Sequence, residues 1–182
     1  MSSSLTPSAI TQKTRRKAIN IFYLDPDPVL AAQYHCDKHL SKMIIESAQM
    51  LSAAHHETGS PLSDQVYKLT HKNHPSTIWA RSSTDHYSWL YELFRELNNE
   101  FSYRRGKIHA SWKKLNHLLC HNPPGLPDNG FEPPPQCMGD EFKGEDTVEA
   151  YRRYYHSKDF AKWEWGREKP SWFNKEQASI AQ

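Results

Sequence analysis

The chain has 182 residues, with 23 Lys plus Arg against 21 Asp plus Glu and a formal net charge of +2. This length predicts one domain that is large enough to bury a core. The hydrophobic content of 37% is low, but 12% aromatic residues argue against a disordered chain. No apolar run approaches the roughly 18 residues of a membrane helix, so we expect no membrane association. Three distant cysteines without a CxxC pair argue against disulfides or a thiolate zinc site, and they favour a reducing compartment.

Residues 1–18 are predicted to form a flexible, disordered tail. A Ser/Thr-rich start is followed by a basic cluster at Lys13, Arg15, Arg16 and Lys17. The same composition is compatible with an organellar transit peptide or a nuclear signal. We expect a cytoplasmic protein, in the host cell if the chain is viral. If the tail is a signal, we expect a nuclear or organellar protein. The domain is predicted over residues 19–175, and residues 176–182 form a short C-terminal tail.

The first half of the domain contains one short apolar run and two long helical patterns. Residues 19–24 predict a strand or an extended lead-in, which the sequence Asp25-Pro26-Asp27-Pro28 ends. Asp25 or Asp27 can cap the helix that follows, with Pro28 in its first turn. This helix is predicted from about Val29 to Ala54, and a short element follows at 66–69. The His74-Pro75 pair predicts a turn, after which apolar residues recur at helical spacing over 76–103.

The second half combines shorter helices with a proline-rich connection. A third helix is predicted over 108–120. Residues 122–144 are rich in Pro and Gly and predict an ordered loop of polyproline character. Asp146 and Glu149 form a capping box that opens a last helix through Tyr155, and residues 169–173 are extended. No alternation of strand period persists, so the predicted class is mainly α, a single compact helical domain with a long Pro-rich loop.

The charges of the chain are segregated along the sequence. Residues 101–121 hold five Lys or Arg and no acid, whereas residues 128–149 hold seven acids against Lys143. Residues 151–175 hold seven bases against three acids, interleaved with aromatic residues. Lys and Arg neutralise phosphates and aromatic rings stack on unpaired or flipped bases, so these segments suit DNA. The alternative is that the aromatic residues form the core and the charges a solvated face.

The first predicted helix carries a narrow polar stripe between apolar residues. At 100° per residue, a stripe about 80° wide contains His35, His39, Lys42, Glu46 and Gln49. As the wall of a cleft, this stripe could supply an amine nucleophile and a carboxylate that stabilises a cationic sugar or shuttles a proton. One alternative is ordinary amphipathicity, with Lys42 and Glu46 as a solvent-exposed pair. Another is a zinc site shared by His35 and His39.

Three parts of the chain carry a resemblance to known proteins. The run Ile19-Asn20-Ile21-Phe22-Tyr23-Leu24-Asp25, followed by Cys36-Asp37-Lys38-His39 and Lys42-Met43, resembles a group of uncharacterised phage-type proteins. More remotely, the chain resembles the pyrimidine-dimer DNA glycosylase (endonuclease V) family. That likeness rests on His74-Pro75-Ser76 through Arg105-Gly106-Lys107-Ile108, and on the closing Lys169-Pro170-Ser171-Trp172-Phe173.

The resemblance implies a compact all-α domain that binds duplex DNA, flips a nucleotide and cleaves the glycosidic bond. In that family the α-amine of the N-terminal residue forms a Schiff base with the sugar C1′, a helical glutamate assists, and β-elimination nicks the strand. This chain departs from the pattern, because its matching start near Asn20 lies behind a tail. Ser41 and Lys42 lie near the place of the glutamate, with Asp37 and Glu46 on either side. Either processing exposes a new N-terminus, or a lysine side chain substitutes, or the lyase chemistry is absent.

The sequence therefore predicts a DNA glycosylase, with AP-lyase activity as an extension, that acts as a monomer on double-stranded DNA without a cofactor or metal. The predicted catalytic residues are Lys42, Glu46, His39, Lys38, Asp37 and His35. The predicted DNA-binding residues are Arg104, Arg105, Lys107, His74, Arg152, Lys162, Trp172 and Phe173. A non-catalytic nucleic-acid-binding accessory protein and a histidine-dependent metal hydrolase are the alternative functions.

Overall fold

The computed structural model describes residues 19–174 and contains no strand in that range. A short 3-10 helix over Asp140–Phe142 precedes the last helix. The two predicted tails lie outside the described residues. The mainly α prediction is confirmed by six helices, which are α1 Pro28–Tyr34, α2 Asp37–Glu57, α3 Pro75–Ala80, α4 Thr84–Arg105, α5 Ala110–Leu119 and α6 Thr147–His156.

The extended run at residues 19–24 is buried along its whole length. Phe22 packs edge-on against Tyr151 and Tyr155 of α6, and it stacks on His39 of α2 at 4.4 Å between ring centroids. Asn20 ties the run to two distant segments, because its amide donates to the Cys137 carbonyl (3.0 Å) and accepts from the Tyr151 hydroxyl (2.8 Å). The lead-in is thus held by side chains rather than by a sheet.

The single helix predicted over residues 29–54 is two helices, α1 and α2. Asp27 caps α1, as its capping position predicts, by accepting from the Val29 N–H at 2.8 Å. His35 and Cys36 are extended, with ψ of 131° and 157°, and separate the two helices. The break is stabilised by tertiary contacts: Arg104 donates to the His35 carbonyl (2.8 Å), and the Cys36 N–H donates to the Tyr155 hydroxyl (3.1 Å).

The helix predicted over residues 76–103 is also divided, into α3 and α4. Ser83 ends the irregular turn between them and caps α4 by accepting from the Asp85 N–H at 3.4 Å. The sequence Ser83-Thr84-Asp85 is typical of a helix N-terminus. The prediction gave more weight to the apolar spacing, which continues through this turn. Helix α4 ends at Gly106, whose φ of +66° is left-handed and suits glycine.

Helices α5 and α6 form where the sequence predicts them. Asp146 caps α6 by accepting from the Glu149 N–H at 3.0 Å. The Pro-rich loop is anchored to the helices, because the Trp79 indole N–H donates to the Glu132 carbonyl (2.9 Å). The predicted element at 66–69 has no regular secondary structure.

Helix α2 is the centre of the domain. It packs against α3, α4 and α5, while α1 packs against α4. Of its 21 residues 14 are buried, so its few accessible polar side chains face local openings rather than a broad solvated surface. Within residues 19–174, no helix combines the length and the apolar character needed to cross a membrane.

Candidate active site

A cavity of about 400 Å³ lies where α2, α6 and the lead-in meet. Helix α2 supplies three lysine and histidine side chains, and the opposite wall comes from the Pro-rich loop and from residues around the end of α6. The lining is Asn20, Phe22, Lys38, His39, Lys42, Cys137, Tyr154, Lys158 and Phe160. Of the predicted catalytic residues, Lys38, His39 and Lys42 therefore share one cavity.

Lys42 connects this cavity to a smaller one of about 260 Å³, which Glu46, Gln49 and His71 also line. The Lys42 ammonium lies 3.2 Å from Glu46 Oε1, and the exposed fractions of the two side chains are 26% and 11%. The backbone N–H of Asn20 donates to Glu46 Oε2 at 3.1 Å. The Lys42–Glu46 ion pair is thus partly enclosed. The Glu46 carboxylate contacts both the Lys42 amine and the backbone nitrogen of Asn20 in the lead-in.

His39 is the imidazole of the cavity. Its ring stacks on Phe22, and its Nδ1 lies 3.0 Å from the Tyr155 hydroxyl. Burial, together with the positive charges of His35, Lys42, Lys158 and Lys38, lowers the pKa of His39 to about 2. The ring is therefore neutral at physiological pH, so it can exchange hydrogen bonds with a ligand without adding charge.

His35 does not belong to the site, because the break between α1 and α2 removes it from the polar stripe. It is fully buried as the C-cap of α1, and its Nδ1 lies 2.6 Å from the Ala31 carbonyl oxygen. Burial lowers its pKa to about 4. Since His35 and His39 are not on one helix, they lack the i,i+4 geometry of a shared metal site. In the part of the chain that the structure describes, no group of three His, Cys, Asp or Glu side chains could hold a metal ion.

Asp37 and Arg104 form an internal network rather than part of the cavity. Asp37 Oδ1 accepts from Arg104 (3.0 Å) and its Oδ2 accepts from the Glu164 N–H (2.6 Å). Arg104 also donates to Glu100 at 2.8 Å, and its side chain is fully buried. Both side chains are enclosed in this network, so contact of Arg104 with DNA or of Asp37 with a sugar would require the network to open.

Glu100 completes the network by binding a second arginine. Arg167 donates to both of its carboxylate oxygens, at 2.8 and 3.0 Å. Burial alone would raise the pKa of Glu100, but hydrogen bonds from Arg167 and Arg104 outweigh it and lower the pKa. The network therefore keeps its charges and joins the C-terminal segment to α4.

Three of the predicted DNA-binding residues present their charges to solvent. Arg105 lies over the Trp165 ring at 4.3 Å, and Lys107 follows it beyond the end of α4. The Lys162 side chain is 66% exposed. Lys162 forms an exposed ion pair with Glu164 at 3.7 Å, which a phosphate could replace. All three cations can thus meet a phosphate backbone without a change in the fold.

The other predicted DNA-binding residues have structural contacts. His74 caps α3 by accepting from the Ser76 N–H, and Arg152 donates to the Leu24 carbonyl at 3.0 Å. Trp172 is half-buried beside Arg152, with the guanidinium 5.1 Å from the ring. Phe173 is 1% exposed and stacks on His156, so stacking on an opened strand would require it to leave the core.

Sequence reasoning missed the wall opposite α2. Lys158, Tyr154 and Phe160 line the cavity, whereas Arg152 and Lys162 were the bases selected from the same segment. The signal that was available is the interleaving of bases with aromatic residues over 151–175, but it does not tell which of them face inward. Asn20 was recognised as the matching start of the domain, and its contact with Glu46 depends on tertiary packing.

The fold and the site define a class: an all-helical domain with a cationic, aromatic-lined cavity beside a buried carboxylate. A protein-family model described as pyrimidine dimer DNA glycosylase matches residues 19–114. The match covers more than half of the chain, and the protein belongs to the pyrimidine dimer DNA glycosylase family. Its function at family level is therefore DNA repair of the glycosylase type, with DNA as substrate. No curated protein and no solved structure matches the chain significantly.

Proposed function

We propose that the protein removes a damaged or modified base from double-stranded DNA, with the cavity beside Lys42 and Glu46 as its active site. The observation that carries the proposal is the placement of an amine and a buried carboxylate 3.2 Å apart at the edge of an aromatic-lined cavity. An extrahelical nucleotide needs such a recess, because chemistry at C1′ cannot be performed inside the stacked duplex.

Glu46 has the position required for the first chemical step. Loss of a base builds positive charge on the sugar, and a preorganised carboxylate in a water-poor site stabilises that charge. Only 8% of Glu46 is exposed, and the Asn20 N–H fixes one of its oxygens. The carboxylate can also accept the proton that Lys42 must lose before its amine attacks.

The lyase step is assigned to Lys42 in this proposal. Its Nζ bonds to C1′ as the glycosidic C1′–N bond breaks, and the base leaves with a proton. Opening of the sugar breaks the C1′–O4′ bond, O4′ takes a proton, and an iminium joins Nζ to C1′. Removal of a C2′ proton by a carboxylate then breaks the C3′–O bond, and the phosphate departs with the electron pair. If processing instead makes Asn20 the first residue, its α-amine would lie against the same carboxylate.

The exposed cations around the domain support duplex binding in the same proposal. Arg105, Lys107 and Lys162 would neutralise phosphates, and Trp172 would contact the opened strand. Lys38 and His39 would contact the extrahelical nucleotide inside the cavity. His74 and Arg152 already have structural contacts within the protein. In this proposal they would act indirectly, by supporting the surfaces that contact DNA.

Borohydride trapping on a duplex with an abasic site or a UV lesion tests the proposal, because reduction fixes a Schiff base as a covalent adduct. We expect an adduct with the wild type and none with Lys42→Arg, which keeps the positive charge and the partner of Glu46 but lacks a nucleophilic amine. Lys38→Arg is the matched control and should retain the adduct. Glu46→Gln should lower base release at least 100-fold, the usual scale for an acid–base or electrostatic catalytic group.

Mass spectrometry of the adduct identifies the amine. Attachment at Lys42 supports the lysine assignment, whereas attachment at an α-amine of Asn20 would replace Lys42 by a processed N-terminus. DNA binding without an adduct and without base release would refute the glycosylase proposal. It would favour a non-catalytic accessory protein, a function consistent with Lys42 being engaged as an ammonium by Glu46.

A further inference from the structure

Two ammonium groups of the cavity have no carboxylate partner within the described residues. Lys38 Nζ lies 4.3 Å from the centroid of the Phe160 ring, and Lys158 Nζ lies 5.8 Å from the same centroid. Lys158 Nζ also lies 3.8 Å from the Tyr154 centroid. No Asp or Glu lines the cavity, and neither lysine takes part in an ion pair anywhere in residues 19–174. Aromatic ring faces, rather than carboxylates, are thus the groups that stabilise both positive charges.

Like charges gathered in a recess favour an anionic ligand. Lys42 is the third lysine of the cavity, and its ion-pair partner Glu46 lies in the adjoining opening. The same three lysines contribute to the lowered pKa of His39, which shows that their positive potential reaches the interior of the cavity. A ligand that brings negative charge relieves this repulsion, and one that also brings a flat or apolar body can use the rings.

We propose that Lys38 and Lys158 bind the phosphate of a single nucleotide in the cavity, with its sugar and base against Phe160 and Tyr154. The inference rests on the proposed function and deepens it, because it names the chemical unit that the cavity holds and the residues that hold it. Phosphate is the anion that ammonium groups bind as point charges. Lys158, Tyr154 and Phe160 lie outside the segment that matches the family model, whereas Lys38 lies within it.

The wall that carries Lys158 is held in place before a ligand arrives. The Lys158 N–H donates to the Tyr155 carbonyl at 3.0 Å, and the Lys162 carbonyl accepts from the Asp37 N–H at 2.9 Å. The Trp163 indole N–H donates to the Tyr34 carbonyl at 3.2 Å. Contacts on both sides of Phe160 thus fix the backbone of this wall. Only the lysine side chains must turn toward a phosphate, so little conformational entropy is lost on binding.

Fluorescence anisotropy over a range of salt concentrations tests the subsite. The probe is a labelled duplex with a tetrahydrofuran abasic site, titrated with the wild type, Lys158→Ala, Lys158→Arg and Lys68→Ala. Lys68 is an exposed lysine outside the cavity, so its variant matches the change in net charge. We expect Lys158→Ala to bind about tenfold more weakly, the effect of one lost charge-assisted hydrogen bond. Its salt slope should fall by about 0.9, the contribution of one phosphate contact.

The arginine variant and a second ligand complete the test. Lys158→Arg should restore affinity and slope, because it keeps the charge, and Lys68→Ala should behave as the wild type. Calorimetry with thymidine 5′-monophosphate, thymidine and inorganic phosphate separates two sources of the nucleotide. Lys158-dependent binding of the free nucleotide supports a mononucleotide site. Lys158-dependent binding of the abasic duplex alone supports a nucleotide that stays within DNA.

The outcome that overturns the inference is equal behaviour of Lys158→Ala and Lys68→Ala toward every ligand. Base release by the wild type is measured separately, so the two proposals can fail independently. Base release with unchanged binding by Lys158→Ala removes the phosphate subsite and leaves the glycosylase. Binding that depends on Lys158, without any base release by the wild type, removes the glycosylase proposal and leaves the phosphate subsite.

Discussion

Arg104 and Arg105 are neighbours in sequence, yet the structure predicts opposite consequences for their replacement. Arg104 donates to Glu100, to Asp37 and to the carbonyls of Gln33 and His35, at 2.8 to 3.0 Å. Arg104→Met keeps the aliphatic stem but leaves these acceptors without their donor. Removal of one partner from a buried ion pair costs about 3–5 kcal/mol of unfolding free energy. The side chains involved are at most 8% exposed, so solvent screening does not reduce this figure appreciably.

Arg105→Met is the matched control, since it removes the same charge from the adjacent position. Its contact with Trp165 is an exposed cation–π interaction worth about 0.5–1 kcal/mol. Urea denaturation should therefore separate the two variants by at least about 2 kcal/mol. Thermal unfolding should separate them by several degrees, at about 2–4 °C per kcal/mol for a chain of this size.

DNA binding should show the reverse order for the two arginines. Arg105→Met should lower the salt slope of duplex binding by about 0.9 for its one phosphate contact. Arg104→Met, measured where it remains folded, should leave that slope unchanged. Equal losses of stability, or a lower salt slope for Arg104→Met alone, would refute the division of the two arginines into a structural and a DNA-binding residue.

Two further predictions concern the core. Because His35 titrates near pH 6.5 when unfolded and near pH 4 when folded, its contribution to stability is complete above pH 6.5. As the pH falls toward 4, about 3 kcal/mol of unfolding free energy is lost. Urea titrations at pH 7.5 and 4.5 should show a smaller loss for His35→Asn than for the wild type, and an equal loss would contradict the assignment. Phe173→Ala should cost about 3–5 kcal/mol by the same method. Ile108→Ala, at a side chain that is 61% exposed, should cost less than about 0.5 kcal/mol, and similar losses in both would mean that Phe173 is not a core residue.

The elements that were predicted from sequence are those whose causes are local. The Asp27 cap, the capping box at Asp146 and the ordering of the Pro-rich loop each depend on a few adjacent residues. The two divided helices were missed because apolar spacing continues through His35-Cys36 and through Arg81 to Ser83. What stabilises the first break is Arg104, a side chain that lies 69 residues away from the carbonyl it binds. Local periodicity contains no information about such a partner.

The same distinction between local and long-range causes applies to the two walls of the site. Helical period alone places His39, Lys42 and Glu46 on one face of α2, so one wall of the cavity was predictable. The other wall requires the end of α6 to pack on the lead-in, and no spacing rule relates residues that distant. The burial of Arg104 beside an exposed Arg105 has a local origin instead, because a step of about 100° along a helix turns one side chain inward and the next outward.

The bridge that Asn20 makes to Cys137 has a consequence for how the activity is encoded. It spans 117 residues, so the recess forms only after most of the chain has been brought together. The segment over 19–114 contains the amine and the carboxylate, whereas the residues that close the recess come from 137 onward. The two walls of the recess therefore come from separate stretches of the polypeptide. Substitutions from residue 137 onward would change the shape and charge of the recess while leaving Lys42 and Glu46 in place.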